Sequence, residues 1–251
     1  MGRMRVGAAH PRHQVTLSGY CIDRTEVTVA AYARCVVRGK CTASPEPAKE
    51  GYDSLCNGTR GDRQDHPVNC VDWNQATKYC AFVNKRLPSE GEWEYAARGD
   101  DGRTYPWGYD APSAKRLNAC GSEWRALGKR EGAEMYKDND GWEITAPVGR
   151  FPGGASPFGA QNMAGNVNEW TADGYDSYAA GASTNPQGAS DGSTRVIRGG
   201  GWNDDDPGSV RATLKAAYHH NVATATRGGM LRPLRTWSPS ARPAREHLHR
   251  Y

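Results

Sequence analysis

No two cysteines are spaced as CxxC and no paired histidines complete such a site, so a zinc ion held through sulfur is not expected. A phosphate-binding GxxxxGK[ST] loop and a zinc-protease HExxH helix are also missing, which excludes those two routes to nucleotide and metal chemistry. No apolar stretch approaches the length of a membrane helix, and Met1 is followed by a polar segment without a signal-peptide core. Phenylalanine is scarce, with three residues against eight tryptophans and twelve tyrosines. The core must then be filled by amphipathic rings, each with a polar edge that needs a partner. Charge of one sign is lacking too: the net charge is +4 and comes largely from the C-terminal end. Neither nucleic acid nor a membrane span is expected.

Glycine and proline are plentiful, 30 and 15 of 251 residues, which implies a loop-rich fold of short elements in one large domain or two small ones. The seven cysteines all lie in the first half, and their even scatter fits disulfides in an extracytoplasmic setting, periplasmic or secreted. An odd number leaves at least one without an internal partner. With no signal peptide in this chain, either a leader or anchor has been lost or the compartment reading is wrong.

Along the chain, residues 14–23 alternate apolar and polar as two short strand pieces broken at Gly19. Thr28 can cap a helix over 29–38 that stops at Gly39. Residues 40–68 read as a long loop held by Cys41 and Cys56. Asp72 with Gln75, and Ser89 with Glu92, form two capping boxes, each opening a helix. From 100 to 160 no period persists, and RVIRGGGW at 195–202 reads as a buried strand ending in a glycine bend. Past residue 222 strand alternation fails and Pro and Arg accumulate. This divides the chain into a domain over 1–222 and a disordered basic tail over 223–251.

The richest stretch is NMAGNVNEW at 162–170. Gly165 relieves backbone sterics, and in an extended segment Gly165, Val167 and Glu169 face the same way. Two backbone carbonyls, the Glu169 carboxylate and the Asn162 amide oxygen supply four hard oxygen donors, the set calcium prefers. The bland alternative is an Asn/Gly-rich turn before a strand with one acid.

Taken together, HPVNCVDWNQATKYCAFVNKRLPSEGEWEYAARG, YPWG, NMAGNVNEWTAD and RVIRGGGW, in that order, resemble the sulfatase-modifying factor family, the formylglycine-generating enzymes. The resemblance covers about residues 14–215. It implies an α+β fold, a variant of the C-type lectin fold with short strands, two main helices and long ion-stabilised loops. It also implies two structural calcium sites. One is Asn162, Gly165, Val167 and Glu169; the other joins LNA to DGW through the side chains of Asn118 and Asp140 and the backbone of Ala119 and Trp142.

Two departures from the family pattern stand out. Active oxidases of the family carry two cysteines shortly after the glycine bend, and these hold copper(I); aligned from RGGGW, those positions are Asp204 and Ser209. Carboxylate and hydroxyl are hard donors, so copper is not expected. The run Asp204, Asp205 and Asp206 is either a site for another hard metal or a solvated turn before Pro207. Family members also close on a Gly-Phe-Arg-Cys strand whose cysteine commonly pairs with one matching Cys80. Here RGGMLRP stands in that region, so the strand is expected to be absent and Cys80 to be left over or paired elsewhere. The resulting expectation is a non-oxidase, calcium-stabilised module that binds a protein, peptide or glycan in a groove between the 103–125 loops and Trp202. The competing class is an enzyme of the same family, a sulfatase activator or another metal-dependent oxidase.

Overall fold

The computed structural model describes residues 5–7, 13–45, 55–123, 133–178, 180–189, 192–221, 232–236 and 247–250. Its elements are β1 (Arg5–Gly7), β2 (Gln14–Leu17), β3 (Tyr20–Ile22), α1 (Val29–Val37), α2 (Trp73–Phe82), α3 (Glu90–Arg98), β4 (Glu169–Gly174), β5 (Ser183–Thr184), β6 (Thr194–Arg198), β7 (Lys215–His219), β8 (Leu234–Thr236) and β9 (His247–Arg250). The result is the α+β class of short strands in small sheets. An antiparallel sheet in the order β1-β7-β6-β4 carries the centre, β2 lies between β5 and β9, and β3 pairs with β8.

The helices start where side chains satisfy the first free amides. Thr28 accepts from the Ala31 amide at 3.1 Å. Asp72 and Gln75 close a reciprocal box, and so do Ser89 and Glu92. Gly39, at φ +66°, follows the end of α1 in the left-handed region. Helix α3 is buried along most of its length in spite of Glu90, Glu92 and Glu94. Each acid meets an arginine: Arg86 forks onto Glu92 at 2.7 and 2.6 Å, and Arg198 of β6 lies between Glu94 and Glu90. Burial of such acids is tolerated only when they are paired in this way.

Tryptophan fills the core, as the shortage of phenylalanine requires. Trp93, Trp170 and Trp202 are at most 2% exposed. The indole of Trp170 donates to the Val71 carbonyl at 3.1 Å, and that of Trp73 to the Thr171 carbonyl at 2.8 Å. These bonds tie the loop after Cys70 and the start of α2 onto β4.

Cys41 and Cys56 both anchor the long loop, by separate bridges: Cys35–Cys41 and Cys56–Cys70. Cys21 and Cys80 are outside both bridges, and burial pushes the Cys80 thiol up to about 12. The expected loss of a closing strand is overturned. Leu234–Thr236 pairs antiparallel with Tyr20–Ile22, and His247–Arg250 pairs with Gln14–Leu17. The reading failed because it asked for alternation within one segment. A three-residue strand gains its hydrogen bonds from a partner more than 200 residues earlier and shows no period of its own. Of the stretch expected to be a disordered tail, 223–231, 237–246 and 251 lie outside the described residues, as do 124 and 125 of the expected groove.

Candidate functional site

The loop 162–169 packs so tightly on the segment after Leu117 that a Cβ on Gly165, at φ +74°, would lie 2.3 Å from the Asn118 carbonyl oxygen. The Asn166 amide donates to that same carbonyl at 2.7 Å. The loop thus brings both expected calcium sites side by side, with Asn166 between them. This residue is fully buried at φ +61°. Its side-chain oxygen accepts from Ala146 N at 2.9 Å and Asn118 Nδ2 at 3.2 Å, while its Nδ2 donates to Glu26 at 2.9 Å. Asn166 lies inside the motif that drew attention, but as a hub of hydrogen bonds it carried no sequence signal.

Around the first site the carboxylate is already surrounded by donors. Glu169 is fully buried, and Arg232 reaches it through Nε at 3.0 and 2.9 Å and Nη2 at 2.8 Å. Trp93 Nε1 donates to its Oε2 at 2.6 Å. The Gly165 carbonyl accepts from the Val167 amide at 2.8 Å. Asn162, in the left-handed region at φ +55°, donates through Nδ2 to both oxygens of Glu26 at 3.1 and 3.0 Å. Glu26 has a pKa raised to about 7, because burial outweighs the attraction of Arg232 and the Glu169 carboxylate adds repulsion. With its lone pairs taken up by four N–H contacts, Glu169 does not fit a metal ligand in this arrangement.

The second site has the opposite character. Asp140 contacts two of its three expected partners, both through their backbone amides: Oδ1 accepts from Trp142 N at 2.8 Å and Oδ2 from Ala119 N at 3.3 Å. Tyr136 points its hydroxyl at three oxygens, Asp140 Oδ2 at 2.6 Å, Leu117 O at 3.0 Å and Ala119 O at 3.3 Å, with one proton to give. Glu123, 5% exposed, lies close by and accepts from Asp140 N at 3.3 Å. The Asn118 amide spends its nitrogen on Ile144 O at 2.6 Å, and its Oδ1 is buried with no hydrogen-bond partner, one of five such side-chain atoms among the described residues. Asp140 is pushed up to about 7 by burial, against the Tyr136 hydrogen bond, and Glu123 repels it further. A surplus of hard oxygens with an orphaned amide oxygen fits a calcium ion. Among the described residues no three His, Cys, Asp or Glu side chains converge as a metal group, so backbone and amide oxygens would have to supply much of such a site.

At the glycine bend the two positions aligned with thiols are close neighbours. A Cβ on Gly200 would meet both Asp204 Oδ2 and the Ser209 carbonyl at 2.9 Å. Asp204 Oδ2 accepts from Gly201 N at 2.8 Å, and the Ser209 hydroxyl donates to Asp206 O at 2.6 Å. Asp206 caps the turn Pro207–Val210 through Gly208 N at 3.0 Å. Asp204 and Asp206 therefore each turn a carboxylate oxygen to a nearby backbone amide. Trp202, expected to border the groove, is 2% exposed and packs in the core. His219 is exposed. A cavity of about 570 Å³ lies away from the expected groove, lined by His13, Glu90, Asp173, Tyr178, Gly188 and Lys215 among others. The Lys215 ammonium donates to Asp176 O at 2.7 Å beneath the Tyr178 ring, and burial lowers its pKa.

Residues 1–230 match the family model described as the sulfatase-modifying factor enzyme 1-like domain. The chain is 38% identical over 142 residues to the formylglycine-generating enzyme of Bos taurus, covering 56% of this chain and 36% of that protein. It is 36% identical over 169 residues to the inactive C-alpha-formylglycine-generating enzyme 2 of Bos taurus, covering 67% and 46%. The chain therefore spans less than half the length of these curated relatives. In three dimensions it is similar to PvdO from Pseudomonas aeruginosa, with a TM-score of 0.62 at 22% identity over 93% of this chain and 94% of that one. Motif order, fold and the match over most of the chain agree, and the chain belongs to the sulfatase-modifying factor family of formylglycine-generating-enzyme-like domains.

Proposed function

We propose that this chain is a non-oxidase member of its family, an extracytoplasmic domain that binds a protein, peptide or glycan and is braced by calcium at Asn118, Ala119, Asp140 and Trp142. The observation that carries the non-oxidase reading is the chemistry at the glycine bend. Asp204 and Ser209, aligned with the family's thiols, offer hard oxygens engaged with the backbone, where copper(I) needs soft thiolates. The orphaned Asn118 oxygen and the crowded acceptors around Tyr136 support calcium at the second site. Two disulfides support the oxidising compartment, and no helix among the described residues is long and apolar enough to cross a membrane.

The test of the first point is mass spectrometry of a sulfatase-type cysteine peptide incubated with the protein, copper and oxygen. No formylglycine beyond the enzyme-free control is expected. Product above that control would favour the competing enzyme reading, toward which the active curated relatives point. The double substitution Asp204→Cys with Ser209→Cys is expected to introduce copper(I) binding that the natural chain lacks.

A further inference from the structure

We infer that the Arg232 guanidinium takes the place of a calcium ion at the 162–169 loop, so that the segment entering β8 supplies from within the chain the cation that this loop needs. The argument begins with what Arg232 gathers. Its nitrogens reach both oxygens of Glu169, the Gln161 carbonyl at 2.5 Å and the Asp23 carbonyl at 2.9 Å. Two carboxylate oxygens and two backbone carbonyls are a hard-oxygen set of the kind a calcium ion would collect, and here a planar five-donor cation collects them. Both partners are fully buried, so neither charge is answered by solvent. Burial opposes the charge on Arg232, and the carboxylates around it, Glu169 foremost with Glu26 and Asp23, together more than compensate, raising its pKa.

Charge balance points the same way. Among the described residues, Arg232 pairs with the Glu169 carboxylate and lies within the field of Glu26. A divalent ion placed beside Arg232 would be repelled by it, whereas one placed in its stead would match two carboxylates. Position in the chain gives the device its character. Arg232 is delivered by the pairing of β8 with β3, and the Asp23 amide donates to the Pro233 carbonyl at 3.0 Å just beyond that ladder. Docking of β8 on β3 and neutralisation of Glu169 are therefore one event.

Equilibrium dialysis of the chelator-stripped full chain against calcium chloride, counting calcium per chain, tests this inference separately from the second-site reading. The wild type is expected to hold no more than one calcium, sensitive to Asp140→Asn and retained on Glu169→Gln. Arg232→Ala is expected to hold one more than the wild type and to recover melting temperature as calcium is raised. Two calcium ions in the wild type, a wild-type calcium lost on Glu169→Gln but kept on Asp140→Asn, or a folded Arg232→Ala chain that gains none, would each overturn the inference. If Arg232→Ala does not fold, the wild-type count decides. A count of zero leaves Arg232 as the cation of the first loop and removes calcium from the second.

Discussion

Two neighbouring loop clusters, both rich in oxygen donors, solve the same electrostatic problem in different ways. In one, Glu169 meets Arg232 and Trp93 and has no acceptor capacity to spare. In the other, Asp140, Glu123 and several carbonyls crowd round one tyrosine hydroxyl, and Asn118 keeps an unsatisfied oxygen. The difference shows that a donor set read along the chain does not say which cation answers it. A distant segment can bring an arginine, and then the same carboxylate that suggests calcium becomes half of an ion pair.

The comparison breaks most sharply at Arg232. Arg232→Ala strands a buried carboxylate, and its loss in urea unfolding is expected to be about 3–5 kcal/mol in the absence of calcium. At the other cluster, chelation is expected to cost about 3 kcal/mol if calcium is near a hundredfold its dissociation constant, or roughly 5–10 °C in melting temperature. Asp140→Asn should abolish that drop, and calorimetry with and without chelator reads both effects.

A third carboxylate sharpens the contrast because it meets neither cation. Asp173 accepts from Glu90 N and Gly188 N, both at 2.7 Å, and burial, opposed by these amides, raises its pKa to about 6. A carboxyl whose folded pKa is raised contributes stability below its unfolded value near 3.8, and that contribution is lost as pH rises through about 6. Between pH 4 and pH 6 the wild type should therefore lose roughly 2–3 kcal/mol relative to Asp173→Asn. Calcium should leave this slope unchanged, and denaturant titrations across that range check it. The smallest effect is expected at the contact between the clusters. Gly165→Ala adds a methyl 2.3 Å from the Asn118 carbonyl at a left-handed φ, with an expected loss of about 1–3 kcal/mol.

Much of the local structure was legible in the sequence because its causes are local. Thr28, Asp72 with Gln75 and Ser89 with Glu92 cap the three helices as their spacing implies. The ordered motifs carry the family and hence the α+β fold. What escaped were pairings that join distant segments. Glu26 looks like an acid two residues before a helix cap, yet it takes the amides of Asn162 and Asn166. Tyr136 lies in a stretch without period and becomes the centre of the second cluster. Arg232 sits among prolines and arginines that read as a tail, and only the β3–β8 ladder shows why one of those arginines is buried. The bridges Cys35–Cys41 and Cys56–Cys70 likewise depend on geometry that spacing leaves open.

The central contrast is tested most directly by differential scanning calorimetry of the chelator-stripped chain as calcium is added, in the wild type, Asp140→Asn and Glu169→Gln. The wild type and Glu169→Gln should rise in melting temperature and Asp140→Asn should not. A rise kept in Asp140→Asn and lost in Glu169→Gln would place the ion at the loop assigned to Arg232 and contradict the account.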